Sequence, residues 1–245
     1  MHNYKTFKQF LSEEEPVGDF RLNDRFLDTL ENISIPRKVT GDFYCASNRL
    51  TSLQFGPTEV TGEYSCRANL LTSLKFAPIK VGADFYCSDN LHLTSLEGCP
   101  SEIGGMFHCK HNFKLTSLEG SPKKIGSYSI TGCSSLTSLE GITPQINGNL
   151  DISNCKGLKS LKGIHKLFKG GFIKGTINAT GTLIESHLLG LLLIPELDGI
   201  KEIAHCSDEF KAAANIINKH LDNDRDVIEC QQELIEAGLK AYAQL

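Results

Sequence analysis

Tryptophan is missing from this 245-residue chain and methionine occurs only twice. No apolar run approaches the roughly eighteen residues that a membrane-spanning helix needs. The most apolar segment, LLGLLLI from Leu188 to Ile194, is short, stops at Pro195 and reads as a buried strand. The first residues carry three consecutive glutamates and no continuous apolar core, so no secretory signal or transit peptide is expected and a cytoplasmic location follows. In such a reducing compartment the nine cysteines, an odd number, are expected to stay free thiols. Catalytic and cofactor signatures are missing as well: there is no Gly-rich phosphate loop, no H-E-x-x-H and no G-x-S-x-G. The chain reads as non-enzymatic, with no cofactor and no metal expected.

Charge is scarce in balance but uneven in place. The formal net charge of −4 divides into −4 over residues 1–105, +7 over 106–175 and −7 over 176–245. A basic block can meet phosphate. Its lysines, however, fall mostly in turns (Lys114, Lys123, Lys124, Lys156, Lys159, Lys162), where solvation is their common fate, and nucleic acid is not the partner expected.

What the chain has in abundance is a repeat. The unit LTSL begins at Leu50, Leu71, Leu93, Leu115 and Leu136, recurs as LKSL at Leu158 and has a degenerate copy, LDTL, at Leu27. Its steps are 21 to 23 residues, the range of stacked repeat architectures. Seven of the eight prolines keep the same beat. The unit reads L-T-S-L-E-G-x-P-x-x-[VI]-G-x-x-[FY]-x-C-x-x-N. Two columns, Phe20, Phe43, Tyr64, Phe85, Phe107, Tyr128, Leu150 and then Leu22, Cys45, Cys66, Cys87, Cys109, Ile130, Ile152, alternate with period two, as a short strand with one buried face does. Glycine and proline before each strand exclude a helix there.

Three residues after the cysteine column stand Asn48, Asn69, Asn90 and Asn112, then Cys133 and Cys155. This Asn/Cys alternation, followed by two leucines three residues apart, resembles the leucine-rich repeat, L-x-x-L-x-L-x-x-[NC]-x-L, over roughly residues 17–165. The resemblance implies a solenoid of stacked parallel strands with a concave binding face. An inward Asn is expected to satisfy backbone groups of its own and the next coil, with Cys filling the slot as a small buried group. Aromatics and cysteine replace leucine in the strand, and the return segment LEGxPxx is too short for a helix, so it is expected to be extended or turn-like.

The fold expected is therefore a β-rich solenoid of 21–22-residue coils with short α-helical caps. Residues 1–15, with Phe7, Phe10 and Leu11 at helical spacing, form the N-terminal cap, residues 16–166 the repeats, 167–205 degenerate terminal coils and a strand, and 206–245 a two-helix cap. Ser207 can N-cap the first of these helices, with Phe210, Ala213, Ile216, Ile217 and Leu221 as its apolar stripe. Asp224 or Asp226 begins the second, with Val227, Ile228, Leu234 and Ile235 apolar and Gly238 as its stop. The tail SHLLGLLLIPELDGI with IINKHLDNDRDVIECQQELIEAGLKAYAQL, joined to LTSLEG units, is similar to bacteriophage proteins of uncharacterised activity, which implies a phage origin.

Three clusters invite chemistry. Cys99, His108, Cys109 and His111 crowd thirteen residues like metal ligands, but the repeat phase turns them to different sides. Asp222 to Glu233 imitates a calcium-binding EF-hand loop, yet Val227 stands where that loop turns on glycine and Glu229 where it buries an apolar residue. Cys206-Ser207-Asp208 resembles the nucleophile motif of bacterial leucine-rich-repeat ubiquitin ligases, with about forty residues after it, too few for that catalytic domain. The stacked cysteines read as buried and inert.

Function is then expected on the outward strand columns. Asp42, Glu63 and Asp84 form an acidic stripe, and Tyr44, Tyr86, Arg67, His108 and Lys110 are the side chains expected to meet a protein partner. A self-assembling structural role is the rival reading.

Overall fold

The computed structural model describes residues 18–245 and shows a parallel β-solenoid whose coils advance about 22 residues at a time. The expected cap over residues 1–15 lies outside the described residues. One ladder of nine strands carries the repeat: β1 (Phe20–Arg21), β3 (Phe43–Tyr44), β5 (Tyr64–Ser65), β7 (Phe85–Tyr86), β9 (Phe107–His108), β10 (Tyr128–Ser129), β12 (Leu150–Asp151), β14 (Thr176–Asn178) and β15 (Gly199–Lys201). Equivalent residues pair directly, Phe43 with Tyr64 and Tyr64 with Phe85, so the repeat period is also the strand register.

A second ladder was not legible in the repeat. The [VI] column enters its own short strands, β2 (Lys38–Val39), β4 (Glu59–Val60), β6 (Lys80–Val81) and β8 (Glu102–Ile103), and later β11 (Gln145–Ile146) with β13 (Phe172–Ile173). Each places a buried Val or Ile beside an outward polar residue in all but the last, and Lys38–Glu59 (2.8 Å) and Lys80–Glu102 (2.9 Å) pair across neighbouring coils.

Inside the coil the columns become stacks. Phe20, Phe43, Tyr64, Phe85, Phe107 and Tyr128 follow one another with ring centroids 5.0–6.0 Å apart. The two leucines of every LTSL are buried beneath them, while Ser52, Ser117 and Ser138 accept the N–H two residues on, as Ser117 Oγ does from Glu119 (3.1 Å). Burial pushes the thiols of the strand column up, Cys45 to about 12 and Cys87 to about 11, and all nine cysteines are free.

The asparagines join coils, in the opposite direction to that expected. Asn69 donates through Nδ2 to Cys66 O of its own coil and to Cys45 O of the preceding one (both 3.0 Å), and its Oδ1 accepts from Leu50 N of that preceding coil (3.0 Å). Asn48 and Asn90 repeat the arrangement, and Asn112 keeps the reach to the preceding coil, donating to Cys87 O and accepting from Asn90 N, with Cys109 Sγ as its partner in its own coil. The cysteines that replace them keep one bond of it: Cys133 Sγ donates to Cys109 O (3.2 Å) and Cys155 Sγ to Ile130 O (3.1 Å). Thr182 and Cys206 extend the column, both reaching Ala179 O. Cys206 is thus a buried rung of the ladder, with its motif partner Asp208 already in the following helix.

A glycine column answers a second set of cross-coil bonds. Asp42 Oδ1 caps Glu63 N (2.8 Å), Asp84 Oδ1 caps Met106 N (2.8 Å) and Ser127 Oγ caps Asn149 N (3.1 Å). A Cβ on Gly105 would lie 2.0 Å from Asp84 Oδ1, and one on Gly148 2.3 Å from Ser127 Oγ. Above Glu63, which makes no such cap, the column carries Ala83 in place of glycine.

At the far end LLGLLLI departs from expectation. It forms a 3-10 helix, Leu189–Leu193, after a short helix α1 (Ile164–Leu167), and the terminal strand is β15 instead. A strand would expose alternate leucines, whereas this turn buries Leu188, Leu189, Leu191 and Leu192 and leaves Leu193 out. Helices α2 (Asp208–Asp222, capped by Ser207) and α3 (Val227–Glu236, capped by Asp226) close the stack. Asn218 of α2 pairs both the N–H and C=O of Ile200 (2.7 and 2.8 Å), satisfying the free edge of β15. In α3 the buried stripe is Cys230 and Leu234, while Ile228 and Ile235 are exposed, because α2 and the 3-10 helix meet its other side. Gly238, at φ +80°, ends α3 with the bonds Gly238 N to Ile235 O and Leu239 N to Leu234 O.

Replacing Asn69 by Ala leaves the Leu50 N–H without its partner and takes one of two donors from Cys45 O and from Cys66 O, which keep Asn48 and Asn90, and should cost about 1–3 kcal/mol, with Asn69→Cys costing less because the thiol keeps one donor; urea denaturation midpoints measure both. Gly148→Ala should destabilise by about 1–3 kcal/mol, and by at least about 1 kcal/mol less in a Ser127→Ala background, in a double-mutant denaturation cycle.

Candidate functional site

The outer face of the main ladder presents three columns. The middle one runs Arg21, Tyr44, Ser65, Tyr86, His108, Ser129, Asp151 in direct register. The sequence-identified residues Asp42, Tyr44, Glu63, Arg67, Asp84, Tyr86, His108 and Lys110 all fall on this face across four consecutive coils, brought together by the strand register.

Their wiring is tighter than an acidic stripe. Tyr44 OH lies 2.9 Å from Asp42 Oδ2 and 2.8 Å from Glu63 Oε2, and Tyr86 OH donates to Asp84 Oδ2 (3.0 Å). Asp42 and Asp84 therefore use one oxygen on backbone and the other on tyrosine, and the stripe is half-buried. Burial, with the carboxylates Glu63 and Asp42, holds the Tyr44 phenol protonated far above its ordinary value. Burial, with Asp84, pushes Tyr86 to about 12. His108 stacks on Tyr86 with centroids 4.4 Å apart and planes 3° apart, and its Nε2 lies 3.5 Å from Asp84 Oδ2. Burial lowers the His108 pKa; Asp84 opposes that shift and Lys110 adds to it. Arg21 lies 4.5 Å above the Tyr44 ring and pairs with Asp19 (2.9 Å). Arg67 is exposed, its guanidinium makes no hydrogen bond or ion pair among the described residues, and it shares with Tyr44, Glu63, Ser65 and Tyr86 an open cavity of about 290 Å³.

The clusters weighed for metal separate as the repeat phase implies. Cys109 is buried, His108 is on the outer face, His111 pairs with Asp89 (3.2 Å) in the turn, and Cys99 is half-buried in the return segment. In the Asp222–Glu233 stretch Asp226 caps α3 through Ile228 N and Glu229 N, and Arg225 donates to Ile194 O and Leu197 O, pinning the cap to the last coil. His220, Asp224 and Glu229 do gather within 4.8 Å, but His220 Nε2 already meets Glu233 (2.9 Å), which Lys219 also holds (2.7 Å).

One surface escaped the sequence reading. Ile33, Ile35, Phe55, Phe76 and Ile79 line an open groove of about 480 Å³ on the return side. Phe55 and Phe76 stand at φ +69° where later coils carry the glycine of LTSLEG, so the departure from glycine was the available signal.

With its pKa lowered by burial, His108 binds its proton less readily folded than unfolded. Stability should fall as pH drops from about 6.5 towards the folded-state value. Asp84→Asn should lower the His108 pKa further, as read by NMR titration.

Comparisons with protein-family models, with curated proteins and with solved structures yield no match to this chain.

Proposed function

We propose that the protein is a non-enzymatic recognition module that binds another protein on the outer face of its main strand ladder. The observation that carries this reading is the contrast between columns. Inward strand positions hold only buried aromatic, aliphatic or cysteine side chains, whereas outward positions gather Tyr44, Glu63, Arg67 and Tyr86 around an open cavity, with His108 and Lys110 on the next coil, the side chains that anchor protein interfaces. The repeat belongs, in this reading, to the leucine-rich type, whose concave face is its binding face. The similarity of the LTSLEG units and the C-terminal tail to bacteriophage proteins supports a phage setting, with a host protein in the cytoplasm as partner. Among the described residues no helix is long and apolar enough to cross a membrane.

A self-assembling role is the second reading, favoured by the exposed Phe55, Phe76 and Ile79.

Asp42 and Asp84 hold backbone N–H groups, so charge reversal is best placed at Glu63→Lys with Arg67→Glu, which leaves those caps intact. Capture of the partner from host lysate should fall at least about tenfold, with an unchanged denaturation midpoint. Undiminished capture would count against this face, and a mass that rises with concentration in sedimentation would favour self-assembly.

A further inference from the structure

The middle outer column is a stack with one layer absent. Arg21, Tyr44, Ser65, Tyr86 and His108 occupy five consecutive rungs in direct register. At one end the Arg21 guanidinium covers Tyr44 at 4.5 Å, and at the other His108 covers Tyr86 at 4.4 Å. Between them the rung holds only the hydroxymethyl group of Ser65, recessed and 4% exposed. Neighbouring parallel strands are about 4.8 Å apart, so Tyr44 and Tyr86, two rungs apart, stand about 9.6 Å from each other. A planar ring seated over Ser65 would lie about 4.8 Å from each, inside the roughly 4.5–7 Å range of aromatic pairs. Both walls are anchored at their hydroxyls, Tyr44 by Asp42 and Glu63 and Tyr86 by Asp84, which holds them upright. The slot opens into the cavity of about 290 Å³.

Charge around the slot selects the kind of ring. Asp24 and Glu63 line the cavity, and Asp42 and Asp84 stand beside the two tyrosines. Arg67 and the Asp19-paired Arg21 are the cations nearby. A nucleobase would bring its phosphate against these carboxylates, whereas an aromatic side chain flanked by lysine or arginine complements them.

We propose that the slot between Tyr44 and Tyr86 receives one aromatic side chain of a protein partner, next to a basic residue of that partner, completing a five-layer stack of Arg21, Tyr44, the incoming ring, Tyr86 and His108. This rests on the reading of the outer face as protein-binding and names what that face grips.

The chain has no tryptophan, so indole fluorescence excited beyond tyrosine absorption reports solely on an added peptide. Ac-Lys-Trp-Lys-NH2 titrated with the full chain should show a saturable change of emission. Ser65→Tyr supplies the absent layer from the chain itself: it should keep the circular dichroism and melting midpoint and abolish the change. Tyr86→Ala, which removes one wall, should weaken binding about fivefold and serves if the first variant does not fold. No saturable change with the wild type, or equal binding by the filled variant, would overturn the proposal, and displacement of the peptide by adenosine monophosphate would reassign the slot to a nucleobase. Peptide binding that fails while partner capture still depends on Glu63 and Arg67 would remove the slot and leave the face; failure of capture alone would do the reverse.

Discussion

Every coil of this solenoid buries polar backbone where the chain leaves its strand, and the fold depends on those groups finding partners on side chains of their own coil and the coil after. A buried N–H or C=O without a partner costs on the order of 1–3 kcal/mol, and the problem recurs at every turn of the stack. Asn48, Asn69, Asn90 and Asn112 meet it with a side chain that donates and accepts at once. Cys133, Cys155, Thr182 and Cys206 meet the lesser demand of the later coils with a single donor. Because the asparagines, Cys133, Cys155 and Cys206 also reach across to the preceding coil, they set register: a slip of one residue would orphan the whole column and turn the aromatic stack to solvent.

The outer face inherits this constraint. Asp42, Asp84, Ser127 and Asn149 are simultaneously surface residues and caps for the following coil's backbone, and the glycines above all four leave the space those caps occupy. What is left for recognition is the remainder of each group: the second carboxylate oxygens that orient Tyr44 and Tyr86, and side chains such as Arg67 that carry no scaffold duty. A face built this way is rigid, since its tyrosines are held at both ends, by packing at the base and by carboxylates at the tip. Rigidity of that kind reduces the ordering cost of binding.

The C-terminal helices solve the corresponding problem at the end of the stack, where no further coil follows. Asn218 gives Ile200 the two backbone bonds that another strand would have made, and Arg225 collects the carbonyls of Ile194 and Leu197. Periodicity exposed α2 with its cap and most of its stripe, though not the buried Ala214 and His220, because a helix packed on one side prints its own pattern. It misjudged Ile228 and Ile235 of α3 and the leucines of 188–194, because which face of a short apolar segment is covered depends on neighbours distant in sequence.

The sequence by itself determined the solenoid, the coil length, the register of the main ladder and the division of its side chains into inner and outer columns, since a repeat of fixed phase can bury its apolar members in one way only. Candidate residues from Asp42 to Lys110 were legible for the same reason: each is the outward neighbour of a buried aromatic or cysteine. Only the tertiary structure decided that the Val/Ile column forms a second sheet, that asparagines bond backwards along the stack, that the acidic stripe is tied to backbone and tyrosine, and that Cys206 belongs to the ladder. Those features consist of distances between coils, and a one-dimensional pattern carries the order of its residues but not the direction in which a side chain spends its hydrogen bonds.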